Sequence, residues 1–202
     1  MCHFSYDTIL AEWWENLDFD PDCMNERGHS LLTIAARVGC NEICKTLIEK
    51  GADINLQVGG SRGVTYGSAL IAAAHRGHTE TVRLLVEYGA DVNMRAQNGQ
   101  YATALIAALS SQSIDIARYL VDEANADVNI DQIVPEKEKK WWDESEPIVL
   151  LTPVGVAANF EGTEALKMII DAGANVNIQA QSGNPLCVAV SADNIEAVKY
   201  LV

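Results

Sequence analysis

The chain predicts an all-α solenoid: helix–turn–helix units stacked in chain order, joined by short extended fingers. Three observations predict it. A corner motif recurs as EKGADIN ending at Asn55, EYGADVN at Asn93, EANADVN at Asn129 and DAGANVN at Asn177. An alanine-rich block precedes each corner: SLLTIAARVG, SALIAAAHRG, TALIAALSSQ and TPVGVAANFE, with a fifth, NPLCVAVSAD, after the last Asn. An amphipathic stretch follows each block, with apolar residues three and four apart, as in Val82, Leu85 and Val86. Such repetition means that each unit buries its oily face only against its neighbours.

The elements follow in order. Residues 1–27 read as a capping half-repeat, DTILAEWWENLDFDPDCMNERG, started by Asp7 or Thr8, with Trp13, Trp14 and Leu17 covering the first full unit. The full units run over 28–55, 56–93, 94–129, 130–177 and 178–202. Ser30, Ser68, Thr103, Thr152 and Asn184 each offer a side-chain oxygen to the first free N–H groups of a helix. Each such cap is worth about 1 kcal/mol. Pro153 and Pro185 then stand at the first helical position, where a fixed φ and a missing N–H cost nothing. The second helices stop at Gly51, Gly89 and Gly173, which accept the left-handed conformation, and at Asn125, the usual second choice. The last unit stops at EAVKYLV, inside its second helix. This predicts a raw apolar edge at Leu201 and Val202, continued by further repeats of a longer chain or covered by self-association.

These residues resemble the ankyrin repeat. The family pattern, roughly G-x-T-P-L-H-x-A-A-x-x-G-H followed by L-L-x-x-G-A-D-V-N, is closely met by TYGSALIAAAHRGHTETVRLLVEYGADVN. The resemblance covers about residues 25–202. The family's His in T-P-L-H is replaced throughout, by Thr33, Ile71, Ile106, Gly155 and Cys187. The inter-repeat Thr–His bonds of the family are therefore not expected, and apolar packing is expected to replace some of them. The YGSAL variant is also similar to ankyrin arrays of filamentous-fungal multi-repeat proteins.

Composition narrows the function classes. The net charge is −14, with 28 acidic residues against 14 basic ones. Such a surface repels phosphate backbones and anionic lipid, so neither nucleic acid nor a membrane is the expected partner. No apolar run is long enough to span a bilayer. The five cysteines form no CxxC pair, which points to reduced thiols in the cytoplasm or nucleus.

No catalytic motif stands in a fitting context. His75 and His78 are three apart, but His78 occupies the turn position of its unit, and so does Cys40. Two cysteines, Cys40 and Cys44, without further ligands nearby do not make a zinc site. Neither a catalytic residue, a metal nor a cofactor is expected. The corner asparagines are accounted for as turn residues.

The binding candidates come from breaks in the rhythm. The fingers between corner Asn and next cap hold 12, 9, 22 and 6 residues. Lengthening a loop from 9 to 22 residues costs only roughly 0.8 kcal/mol, so the insertion at 131–147 proves little by its length. Its two tryptophans, Trp141 and Trp142 in VPEKEKKWWDESEP, carry more weight, because such rings anchor interfaces. One of the pair is expected to fold back on the array, leaving the other for a partner, since neighbours in an extended segment point oppositely.

By resemblance, ankyrin partners lie against fingers and inner helices. The variable pair there is Arg37–Val38, His75–Arg76, Ser110–Ser111, Asn159–Phe160 and Ser191–Ala192. The expected partner surface is Trp141, Trp142 and Phe160, flanked by His75 and Arg76, with Arg37 and Tyr101 beside it. Tyr66 and Tyr101 recur two residues before their caps, which also points to a structural role. The expected function is non-catalytic recognition of a protein or peptide. One alternative is an N-terminal regulatory or scaffold part of a larger signalling protein. Another is an enzyme with an unrecorded site beneath the Trp finger.

Overall fold

A computed structural model describes residues 20–25, 28–58, 66–96, 101–130, 152–160, 162–178 and 184–202. The expected half-repeat helix with Trp13, Trp14 and Leu17, and the finger with Trp141 and Trp142, lie outside the described residues. Ten helices occur among the described residues, in five pairs. They are α1 (Leu31–Val38) with α2 (Asn41–Glu49), α3 (Ala69–His75) with α4 (Thr79–Glu87), and α5 (Ala104–Ser110) with α6 (Ile114–Asp122). The last two pairs are α7 (Pro153–Asn159) with α8 (Glu164–Asp171), and α9 (Pro185–Ser191) with α10 (Ile195–Leu201).

The first helices exist because caps and small residues agree. Ser30 Oγ, Ser68 Oγ, Thr103 Oγ1, Thr152 Oγ1 and Asn184 Oδ1 each accept from the backbone N–H three residues on, at 3.2, 3.3, 3.3, 3.1 and 2.9 Å. Pro153 and Pro185 occupy the first turn of α7 and α9. In α3 and α5 every residue but the last is buried, and the alanines let helices approach closely. These helices form one layer: α3 packs on α1 and α5, and α7 on α5 and α9.

The second helices form the other layer. Each packs on its own partner, and α2, α4, α6 and α8 follow one another. Their buried stripe includes Cys44 and Leu47, Val82 and Leu85, Ile116 and Leu120, and Leu166 and Ile169. All eight are at most 1% exposed. The opposite face carries ion pairs between units, Arg83 with Glu123 at 3.5 Å and Arg118 with Glu164 at 2.8 Å. Both pairs are exposed and contribute little each. The Arg83 guanidinium also lies 4.1 Å from the Tyr119 ring centre.

Where the family places histidine, Ile71 and Ile106 are sealed in the core, so apolar packing takes the place of the bracing bond there. Thr33 stays local, 3.1 Å from Ser30 Oγ. The turns are tied by other polar side chains instead. His78 Nε2 donates to the Arg37 carbonyl at 3.1 Å. Ser111 Oγ reaches the Ala74 carbonyl at 3.5 Å, and Asn194 Nδ2 donates to the Ala158 and Phe160 carbonyls. The Arg37 and Ala158 carbonyls lie in the last turns of their first helices, where intrahelical donors run out.

The corners form a ladder. Asn55 Oδ1 accepts from the Asp91 N–H at 2.8 Å, Asn93 Oδ1 from Asp127 at 2.7 Å, and Asn129 Oδ1 from Asn175 at 2.8 Å. Their amides donate to the carbonyls of Gly89, Asn125 and Gly173. Those carbonyls belong to the left-handed residues ending the next second helix, where Gly89 and Gly173 have φ of +92° and +90° and Asn125 +57°. Asp22 Oδ1 makes the equivalent bond to the Asp53 N–H at 2.8 Å. The ladder thus reaches back to the acidic stretch before the first full unit.

The fingers keep short ladders of their own. The Val58 N–H donates to the Gly67 carbonyl at 2.8 Å, and the Ala96 N–H to the Ala102 carbonyl at the same length. Gly67 has φ of +80°, and a Cβ there would stand 2.2 Å from Ala96 Cβ. No larger residue fits that crossing of two fingers.

Candidate functional site

The fold brings one polar and aromatic cluster together where the C-terminus of α3 meets two successive fingers. Tyr66 precedes the cap of α3, and Tyr101 precedes the cap of α5. Both are largely buried, which holds their rings in place. Between them sits His75, the last residue of α3. Its ring stacks on Tyr101 with centroids 4.7 Å apart and leans on Tyr66 at 5.5 Å. The next residue, Arg76, is exposed and donates from Nη2 to the Tyr66 hydroxyl at 3.2 Å.

The electrostatics follow from this packing. Burial, then the Arg76 charge, lowers the His75 value and favours the neutral ring. Its Nδ1 is shielded from solvent and has no hydrogen-bond partner among the described residues. Burial, then the neighbouring Tyr66, raises the Tyr101 hydroxyl, so it stays protonated. The cluster can donate and accept hydrogen bonds and stack a flat group.

A shallow cleft of about 410 Å³ lies next to it, between the α1–α2 and α3–α4 turns, lined by Arg37, Val38, Arg76 and His78. Its floor is firm. His78 holds the Arg37 carbonyl and packs over Gly39, where a Cβ would approach the imidazole to 2.7 Å. Arg37 Nε is shielded from solvent and, like His75 Nδ1, has no hydrogen-bond partner among the described residues.

A second cleft of about 230 Å³ lies between the α5–α6 and α7–α8 turns, and includes Leu109, Ile114, Ala157, Phe160 and Glu164 in its lining. Phe160, expected on an open surface, is half-buried and packs against the core. The α7–α8 turn is one residue longer than its counterparts, since Thr152 to Thr163 spans 11 positions where Ser68 to His78 spans 10. The two clefts share no lining residue.

The structure therefore gathers His75, Arg76 and Tyr101 and sets Arg37 beside them, while Phe160 lines a separate cleft. Trp141 and Trp142 lie outside the described residues. Two members of the site were not among the candidates, Tyr66 and His78. Tyr66 carried a signal, its recurrence with Tyr101, that was read as purely structural. His78 carried none beyond its turn position.

Elsewhere, the Cys44 thiol is pushed up to about 12, mainly by burial, which makes it inert. Among the described residues no three His, Cys, Asp or Glu side chains converge as a metal site. None of the described helices is long and apolar enough to cross a membrane.

The family model for ankyrin repeats in three copies matches residues 58–132, and the model for a single ankyrin repeat matches residues 27–58. Among curated proteins none matches the chain.

Proposed function

Because the chain belongs to the ankyrin-repeat family, whose arrays are generally protein–protein interaction modules, we propose that it is a non-catalytic module recognising a protein or peptide through its first-helix ends and fingers. The centre of the surface is His75, Arg76 and Tyr101, supported by Tyr66, with Arg37 beside it.

One observation carries this reading: the aromatic and cationic side chains at the end of α3 are locked by each other and by buried neighbours. A surface ordered before binding loses little entropy on binding. Stacked rings with an arginine at their rim are also the residue types that dominate interface energies. The cleft beside the packed rings is shallow, which suits an extended segment lying across it.

The test is selection of a displayed random-peptide library on the wild-type chain and on His75→Ala/Tyr101→Ala. Selected peptides bind the wild type and lose about tenfold or more on the double variant, the usual cost of removing an interface anchor. Equal binding to a folded double variant removes these residues from the site. Failure to select any peptide argues against the reading itself.

A further inference from the structure

We propose that the cleft between the α1–α2 and α3–α4 turns recognises a single carboxylate side chain of the partner, an Asp or Glu within an otherwise uncharged or basic segment. The inference rests on the binding reading above and names the chemistry that one part of that surface selects.

Charge carries the argument first. The chain has twice as many acidic as basic residues, and four of the described cations pair with a carboxylate. Lys45 pairs with Glu49, Arg83 with Glu123, Arg118 with Glu164 and Lys199 with Glu196. Among the described residues no carboxylate pairs with Arg37 or Arg76, and these two line the same cleft. Two guanidinium groups lining one cleft draw an anion to it.

Hydrogen bonding carries it second. Arg37 Nε is shielded from solvent with no acceptor among the described residues, so the guanidinium meets a ligand through its Nη donors. Arg76 spends one donor on the Tyr66 hydroxyl and keeps the rest of its fork. A carboxylate is acceptor-only and takes two parallel N–H donors at once, which a neutral amide cannot do. Tyr66 holds the Arg76 head in place, and His78 fixes the backbone from which Arg37 reaches.

The rest of the segment is constrained by the remaining surface. Val38 is 59% exposed at the edge of the cleft and offers an apolar contact to a neighbouring side chain. The net charge of −14 repels a polyanion at long range. One acid among neutral or basic residues satisfies both the local cations and the global field.

The probes are the peptides acetyl-Ala-Glu-Leu-Ala-amide and acetyl-Ala-Gln-Leu-Ala-amide, titrated into the whole chain while arginine Nε–Hε resonances are followed by NMR. The Glu peptide is expected to shift Arg37 and Arg76 and to bind at least about tenfold more tightly than the Gln peptide. Arg37→Gln and Arg76→Gln each lose most of that preference, while Arg118→Gln on the other layer keeps it. Thermal unfolding of the variants checks that they remain folded. If both peptides shift His75 and Tyr101 equally, the groove binds peptides but the carboxylate inference is wrong. If the Glu peptide moves Arg118 as much as Arg37, or moves neither cleft arginine, the inference is also overturned.

Discussion

His75 shows how one side chain reports on its surroundings. Burial, then the Arg76 charge, disfavours the imidazolium, so the folded value lies below the ordinary 6.5. As pH falls, the unfolded chain takes up this proton before the folded one does. The stability contributed by His75 is therefore present above pH 6.5 and is lost as pH drops below it. We expect the melting temperature of wild type to fall more steeply than that of His75→Gln between about pH 7 and pH 5. Parallel decline of the two proteins would show that the ring titrates as it does in water. The same ring stacks on Tyr101, so protonation should also weaken any contact that needs its lone pair.

At the scale of the element, the units hold together by two kinds of bond. Caps and alanine packing make each first helix, and these were legible from the spacing of Ser30, Ser68, Thr103, Thr152 and Asn184 alone. The left-handed Asn125 was legible for the same reason, since it stands where the other units have glycine. The corner ladder was only half legible. The asparagines were read as turn residues, yet their side chains bridge to the following unit. A turn residue and a bridging residue look alike in one dimension, because the bridged atoms are 36, 34 and 46 positions away. The candidate site was partly legible in the same sense: the place before the turn picks out His75, Arg76 and Arg37, which the fold sets near one another. The longer α7–α8 turn, which tucks Phe160 against the core, depends on packing across units. Asn93→Ala tests the ladder. It removes the acceptor of the Asp127 N–H and the donor to the Asn125 carbonyl, and should cost about 1–2 kcal/mol in urea unfolding. Asn93→Asp keeps the acceptor but sets a carboxylate oxygen against the Asn125 carbonyl beside Asp91, and should cost at least as much. Equal and negligible effects would mean that water replaces both bonds at no loss.

Across the whole molecule, the chain is a one-dimensional stack. Each first helix touches the helices before and after it, and the apolar core runs through the array without a single centre. Stability is then a sum of unit terms and neighbour terms. We also propose that residues 1–27 act as a capping half-repeat, which the Asp22 bond to Asp53 supports. A stack ordered in this way presents the ends of its first helices along one side. The central claim is that this side, and not the second-helix layer, meets a partner. Hydrogen exchange with and without a library-selected peptide tests it most directly. We predict slowed exchange at the α3–α4 turn and at the finger ending in Tyr101, with α4 and α6 unchanged along their solvent faces. Protection centred instead on the Arg83 and Arg118 face would contradict the account.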